Sequence, residues 1–364
     1  MAVCSTKLAV AEVARCSTKK FRVEHAMIRR HSPLAHAVYL DLLGSLGDGQ
    51  VAALRGSPAL EERSGRRYWY DSYRVGDQVR KRYIGEDTPD LAQRMALHRE
   101  DARRKKEGAG HRARLVRLLR AEGFLPIDGG TGAILNALAK TGVFRTGGTI
   151  VGTSAFRLYE GELGLRLGSD PAAGTDDADM ARFERLSLAL DDRVDASLPE
   201  SFRDLEFASG PGPDGAAVWK WKQTRSGTVI DFLTPSIRSG EGIRDLPALG
   251  VSARSLHFLD YLIADPVKAA VAYRSGVLVQ VPRPERYAIH KLVVADRRQG
   301  GPDAPKSRKD RAQAAFLIAA LARDRPEALR LAYEAAIGNG VTWRDRIAAS
   351  LKRMPRTFAV LEAL

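Results

Sequence analysis

Cysteine is scarce in this chain: Cys4 and Cys16 are the two among 364 residues, both in a doubled CSTK near the start. No disulfide framework is expected, and a reducing, cytoplasmic setting follows. Long apolar runs are missing too, none approaching the roughly 18 residues that span a bilayer, so no membrane partner is expected. The basic opening stretch lacks a clean apolar segment before a small-residue cleavage site, and no signal peptide is read there. Acids are outnumbered, 44 against 58 Lys and Arg, leaving +14. That surplus favours an anionic partner such as nucleic acid or nucleotide phosphate, although arginine-rich usage set by genome composition gives the same count. Hydrophobic residues at 44% and charged residues at 28% are an ordinary globular balance, and the length suffices for two or three domains.

The organisation is legible from period and punctuation. Residues 33–46 read as a helix with Leu34, Val38, Leu42 and Leu46 at a spacing of four. GRRYWYDSYRVGDQVRKRYIGE (65–86) reads as a β-hairpin turning at Gly76-Asp77. Residues 89–122 read as one long charged helix or two broken near EGAG. We expect an N-terminal helix and hairpin module (1–100), a charged helical linker (101–123), a core (124–245) and a mostly helical C-terminal domain (246–364). In the core, TIVGTSAFRLYEGEL gives a brief strand, a turn at Gly152-Thr153 and a helix, TDDADMARF has strand length, and AVWKWKQTRSGTVIDFLTP gives two antiparallel strands. The hairpin interleaves Arg66, Arg67, Arg80, Lys81 and Arg82 with Tyr68, Trp69, Tyr70, Tyr73 and Tyr83. That mixture suits phosphate contact and base stacking, while a strand packed on one face alternates in the same way.

The acids crowd where like charges repel. On a strand, Asp177 and Asp179 share a face. Two carboxylates together make a hard oxygen site suited to Mg²⁺ or Mn²⁺. Asp231 is an acid inside the apolar run TVIDFLTP, where a solvated role is unnatural. Were the two strands neighbours, three carboxylates would converge and could hold metals for phosphoryl chemistry. An Asp-rich loop or helix cap is the plainer reading of the same residues. The Gly152-Thr153 turn with Ser154 could seat a phosphate at a helix N-terminus, or Thr153 or Ser154 could simply cap that helix. DGGTG (128–132) and TGG (146–148) are rival glycine turns.

The order of strand, Gly-Thr, helix, D-x-D and a later strand with a lone Asp resembles the DNA polymerase β-like nucleotidyltransferase superfamily. Here Gly152-Thr153, Asp177, Asp179 and Asp231 stand in that order, with Thr where Ser is commoner. A fuller resemblance runs from about 55 to 325, carried by the hairpin, GTIVGTSAF, TDDAD, IDFLTP and PERYAIHKLVVADRR…KSRKDRAQA. It is to bacterial nucleotidyltransferase-fold proteins related to toxins of abortive-infection systems. The resemblance implies an α+β fold with a polymerase β-like core, a mixed sheet flanked by helices. It implies transfer of a nucleoside monophosphate from an NTP to a hydroxyl of RNA (tRNA in the related toxins), protein or a small molecule, and an antitoxin partner. Asp177, Asp179 and Asp231 would hold Mg²⁺ or Mn²⁺, and Gly152 and Thr153 would cradle phosphates. Lys291 would face the triphosphate, and Lys309, in a basic stretch with Lys306, Arg308 and Asp310, could reach it. A nucleic-acid-binding protein without turnover and a metal-dependent nuclease remain the alternatives.

Overall fold

The computed structural model describes residues 28–47, 57–75, 78–145, 147–167, 185–189, 207–209, 220–223, 229–236, 240–246, 251–300 and 304–364. It is a mixed α+β protein that divides into two compact units, one formed by 31–164 and 177–284, the other by 1–30, 165–176 and 285–364.

The first unit opens with helix α1 (Pro33–Gly47), which buries Ala35, Tyr39 and Leu42. Of the predicted stripe, Leu42 is fully buried and Val38 and Leu46 pack against the same cluster, while Leu34 is 68% exposed. Tyr39 joins that face: its bulk packs with Leu115, Val116, Leu119 and Phe124, and its hydroxyl accepts the Ala270 N–H at 3.1 Å. Strands β1 (Ser57–Arg63), β2 (Arg66–Val75) and β3 (Gln78–Glu86) form an antiparallel sheet, so the expected hairpin carries a third strand. Its turn at Gly76-Asp77 lies outside the described residues. Trp69 fastens the sheet to helix α2 (Pro89–Ala121) by packing on Leu91 and Met95. Helix α2 runs unbroken through the glycines, capped by Thr88, whose hydroxyl accepts the Leu91 N–H.

Helix α3 (Gly129–Thr141) and strand β4 (Thr149–Val151) lead into helix α4 (Gly152–Leu163). Seven of the described strands make one mixed sheet: β4, β5 (Arg185–Ala189), β6 (Phe207–Ser209), β7 (Lys220–Gln223), β8 (Val229–Pro235), β9 (Gly242–Leu246) and β10 (Val251–Leu256). The order is β4-β5-β8-β10-β9, with β7 also on β8 and β6 on β7. β8 runs parallel to β5 and β10, and antiparallel to β7 as its sequence pattern predicts. Ile230 and Phe232 are fully buried, as expected for a strand covered on both faces. A short helix α5 (Leu259–Ile263) and the ribbon of β11 (Val267–Val271) and β12 (Val277–Val281) complete the unit.

The second unit contains helices α6 (Pro284–Arg297), α7 (Ala304–Asp324), α8 (Pro326–Gly338), α9 (Val341–Leu351) and α10 (Pro355–Glu362). Helices therefore dominate from Pro284 on, while strands occupy most of 251–281. The unit is held by apolar faces such as Leu292, Leu317 and Leu321, all fully buried. A hydroxyl bond from Ser350 to the Leu292 carbonyl at 2.6 Å ties α9 to α6.

Helix α4 is anchored at its far end by a buried polar knot. Glu160 meets His31 Nε2 at 2.9 Å and accepts the Leu125 N–H at 2.8 Å. Beside it Gly161 lets α4 lie flat on Tyr39, since a Cβ there would stand 2.1 Å from the ring. Gly161→Ala is expected to lower stability by about 1–3 kcal/mol through overpacking. Urea denaturation checks this, and an unchanged midpoint would mean that α4 and α1 are not in contact.

Candidate active site

The turn from β4 into α4 differs from the other glycine turns. Asp128 caps α3, its carboxylate accepting the Thr131 N–H at 2.8 Å, so DGGTG is an ordinary helix start. At α4 the N-cap position is Val151, in extended backbone, and no side chain caps the helix. Gly152 follows at φ +71°, a left-handed conformation that glycine adopts without strain. Neither Thr153 nor Ser154 is therefore the plain cap that the sequence allowed. Gly152 and Thr153 are half-buried and Ser154 is buried in the first turn of α4. The N-terminus of α4 thus directs backbone N–H groups and the positive end of its dipole at this turn, an arrangement suited to an anion.

The sheet register ties this turn to Asp231. Val151 stands opposite Ser187 of β5, and Ser187 stands opposite Asp231 of β8. Neighbouring strands lie about 4.8 Å apart, so the backbone at Val151 and that at Asp231 are about 10 Å apart on one rung of the sheet. On its other edge β8 sets Asp231 opposite Lys220 of β7. Asp231 is only 3% exposed and lies between Ile230 and Phe232, both inaccessible. Buried charges in proteins are paired or bound to a cation, and Asp231 is a buried acid.

Asp177 and Asp179 lie outside the described residues. They precede Ser187 by ten and eight positions. Among the described residues no group of three His, Cys, Asp or Glu side chains is arranged to hold a metal. The donor set proposed from sequence would be all carboxylate oxygen, which fits Mg²⁺ or Mn²⁺ rather than a soft ion. Asp231 supplies the described part of that set.

Lys291 and Lys309 belong to the helical unit. Lys291, on α6, is 7% exposed, and its ammonium lies 2.5 Å from Asp310 and 5.1 Å from the Tyr287 ring centre. Arg298 meets the other Asp310 oxygen at 2.8 Å. Burial alone would raise the Asp310 carboxyl, but Lys291 and Arg298 outweigh it and hold the group below its ordinary value. Burial lowers the Lys291 ammonium in turn. Asp310 pairs with both cations, and Lys291 is a buried member of that network. Lys309 is half-buried on α7. The sequence offered no sign of Ser187, because the register of a parallel pair is set by distant packing. Asp310 stood in view within KSRKD, but the 19 residues between it and Lys291 hid the pair.

His290, beside Lys291, is held neutral: burial first, then the Lys291 charge, lower its imidazole to about 3. The unfolded chain takes up a proton near pH 6.5 that the folded chain refuses, so stability falls as pH drops from about 6.5 towards 3. The loss should reach roughly 2 kcal/mol by pH 5, at about 1.4 kcal/mol per pH unit. Asp310 adds a separate loss. Its stabilisation is full above about pH 4 and disappears as pH falls through the lowered folded value. Urea midpoints at pH 7 and pH 5 test the histidine: His290→Leu should shrink the difference, and an unchanged difference would assign it to other groups.

Comparison with known families completes the description. A family model described as a nucleotidyltransferase matches residues 130–338, spanning the Gly152 turn, both Asp177 and Asp179, Asp231, Lys291 and Lys309. A second, described as a domain of unknown function, matches residues 38–93, including all of β1–β3. No curated protein and no solved structure matches the chain.

Proposed function

The chain belongs to this nucleotidyltransferase family, and we propose that it moves a nucleoside monophosphate from an NTP to a hydroxyl of RNA, on a polymerase β-like core. The observation that carries the reading is the rung Val151–Ser187–Asp231, which joins the glycine turn at the α4 N-terminus to a buried carboxylate. A triphosphate has the charge for the first, and an acceptor hydroxyl that must lose a proton has the need for the second.

In this reading the α4 N-terminus receives the outer phosphates. The N–H groups of Gly152, Thr153 and Ser154, with the Thr153 hydroxyl, direct donors towards them, and the absence of a Cβ at Gly152 allows close backbone approach. Asp177, Asp179 and Asp231 hold Mg²⁺ or Mn²⁺, which supplies charge neutralisation at the phosphates when bound. Asp231 orients the acceptor hydroxyl for attack on the α-phosphorus and helps to take its proton. The α-phosphorus gains the bond to the acceptor oxygen and loses the bond to pyrophosphate, which leaves. Burial of Asp231, only 3% exposed, keeps bulk water from competing as acceptor. Lys309 lies in the second turn of α7, beside Arg308, and offers a positive contact for polyanions on the helical unit. The Lys291–Asp310–Arg298 network acts as support, fixing α6 against α7.

Incubation with each α-³²P-labelled NTP, Mg²⁺ or Mn²⁺ and total bacterial RNA tests this. Label should enter RNA with the wild type. Asp231→Asn should cut the rate at least about a hundredfold, as loss of a positioned acid–base group does, and Asp177→Ala/Asp179→Ala should abolish it. Equal labelling by all three proteins would remove the carboxylates from the mechanism, and label in protein instead of RNA would change the acceptor.

A further inference from the structure

The sheet of β1–β3 presents two unlike faces. One carries Trp69 onto Leu91 and Met95 of α2, with the Arg99 guanidinium 5.0 Å over the indole. The register sets Ser57, Ala59, Glu61 and Arg63 of β1 beside Ser72, Tyr70, Tyr68 and Arg66 of β2 on the other face. β3 adds Tyr83 opposite Tyr70 and Lys81 opposite Ser72, after a bulge that brings Tyr83 into line. Three tyrosines therefore cluster there: the Tyr83 ring lies 5.8 Å from Tyr70 and 6.1 Å from Tyr68. Tyr83 is 57% exposed, a large aromatic surface left open on the edge strand β3. Arg63 lies 5.3 Å over the Tyr70 ring, and Arg66 and Lys81 are exposed at either side. Two acids share this face: Glu86, exposed opposite Tyr68, and Glu61, which Lys81 and Arg63 engage.

Charge argues for the occupant. On this face Arg63, Arg66 and Lys81 outnumber Glu61 and Glu86. We propose that this face binds single-stranded RNA. Bases stack on Tyr83, Tyr70 and Tyr68, while Arg63, Arg66 and Lys81 meet the phosphates. The tyrosine hydroxyls and Ser72 offer donors and acceptors to the 2′-hydroxyls that distinguish RNA from DNA. A duplex keeps its bases stacked internally and leaves nothing for the tyrosines. The face belongs to a different sheet from the one that carries Asp231, and its binding needs neither metal nor NTP.

Fluorescence anisotropy of the full chain with a labelled 16-nucleotide RNA in EDTA reads this directly, and the choice of EDTA separates it from the transfer reading. Tyr83→Ala should weaken binding on the order of tenfold and Tyr83→Phe should retain it, as expected when one stacked base is lost. With three phosphate contacts the logarithm of affinity should fall with that of salt at a slope near about −2. Equal affinity for the duplex or for single-stranded DNA of the same sequence, or an affinity unmoved by Tyr83→Ala, overturns the proposal.

Discussion

Backbone pairing along both edges of β8 is the constraint on which the rest depends. β5 takes one edge, while β7 and then β10 share the other. A strand so held cannot slip by one residue without turning Ile230 and Phe232 to the opposite face. Asp231 is thereby fixed in depth and direction by hydrogen bonds that do not involve its own side chain. The same ladder continues through Ser187 to Val151, so the glycine turn is placed by the register that places the carboxylate. Precision at the site comes from the sheet, which is the rigid way to hold groups that must meet a reacting centre.

The helical unit solves a different problem with buried charge. Lys291, Asp310 and Arg298 are joined where desolvation is expensive, and each stays charged because the others do. Such a network specifies how α6 meets α7 more sharply than apolar contact alone. Its cost is sensitivity to acid, shared with the neutral His290 beside it.

Local rules carried far into this fold. The strand, glycine turn and helix at 149–163 are written in consecutive residues, as is the β7–β8 pair. Pairing over long separations was not legible. β1 reads SPALEER, with no aromatic or β-branched residue to mark a strand, and it forms because β2 offers it an edge. In α1 the regular spacing marked Val38, Leu42 and Leu46 as inward, but not Tyr39, which is buried beside them, nor the exposure of Leu34. EGAG looked like a break, yet α2 passes through it on the strength of the charged turns around it. Of the site, Asp231 was visible as an acid among apolar residues. Its distance from the glycine turn was not, because that depends on β5, whose register no local pattern encodes.

The account turns on three carboxylates meeting opposite the α4 N-terminus. A crystal structure of the full chain with a non-hydrolysable NTP analogue and Mn²⁺ tests that most directly. The account predicts manganese density bounded by Asp177, Asp179 and Asp231, with the outer phosphates against the N–H groups of Gly152 and Thr153. Nucleotide bound elsewhere, or manganese held without Asp231, would contradict it.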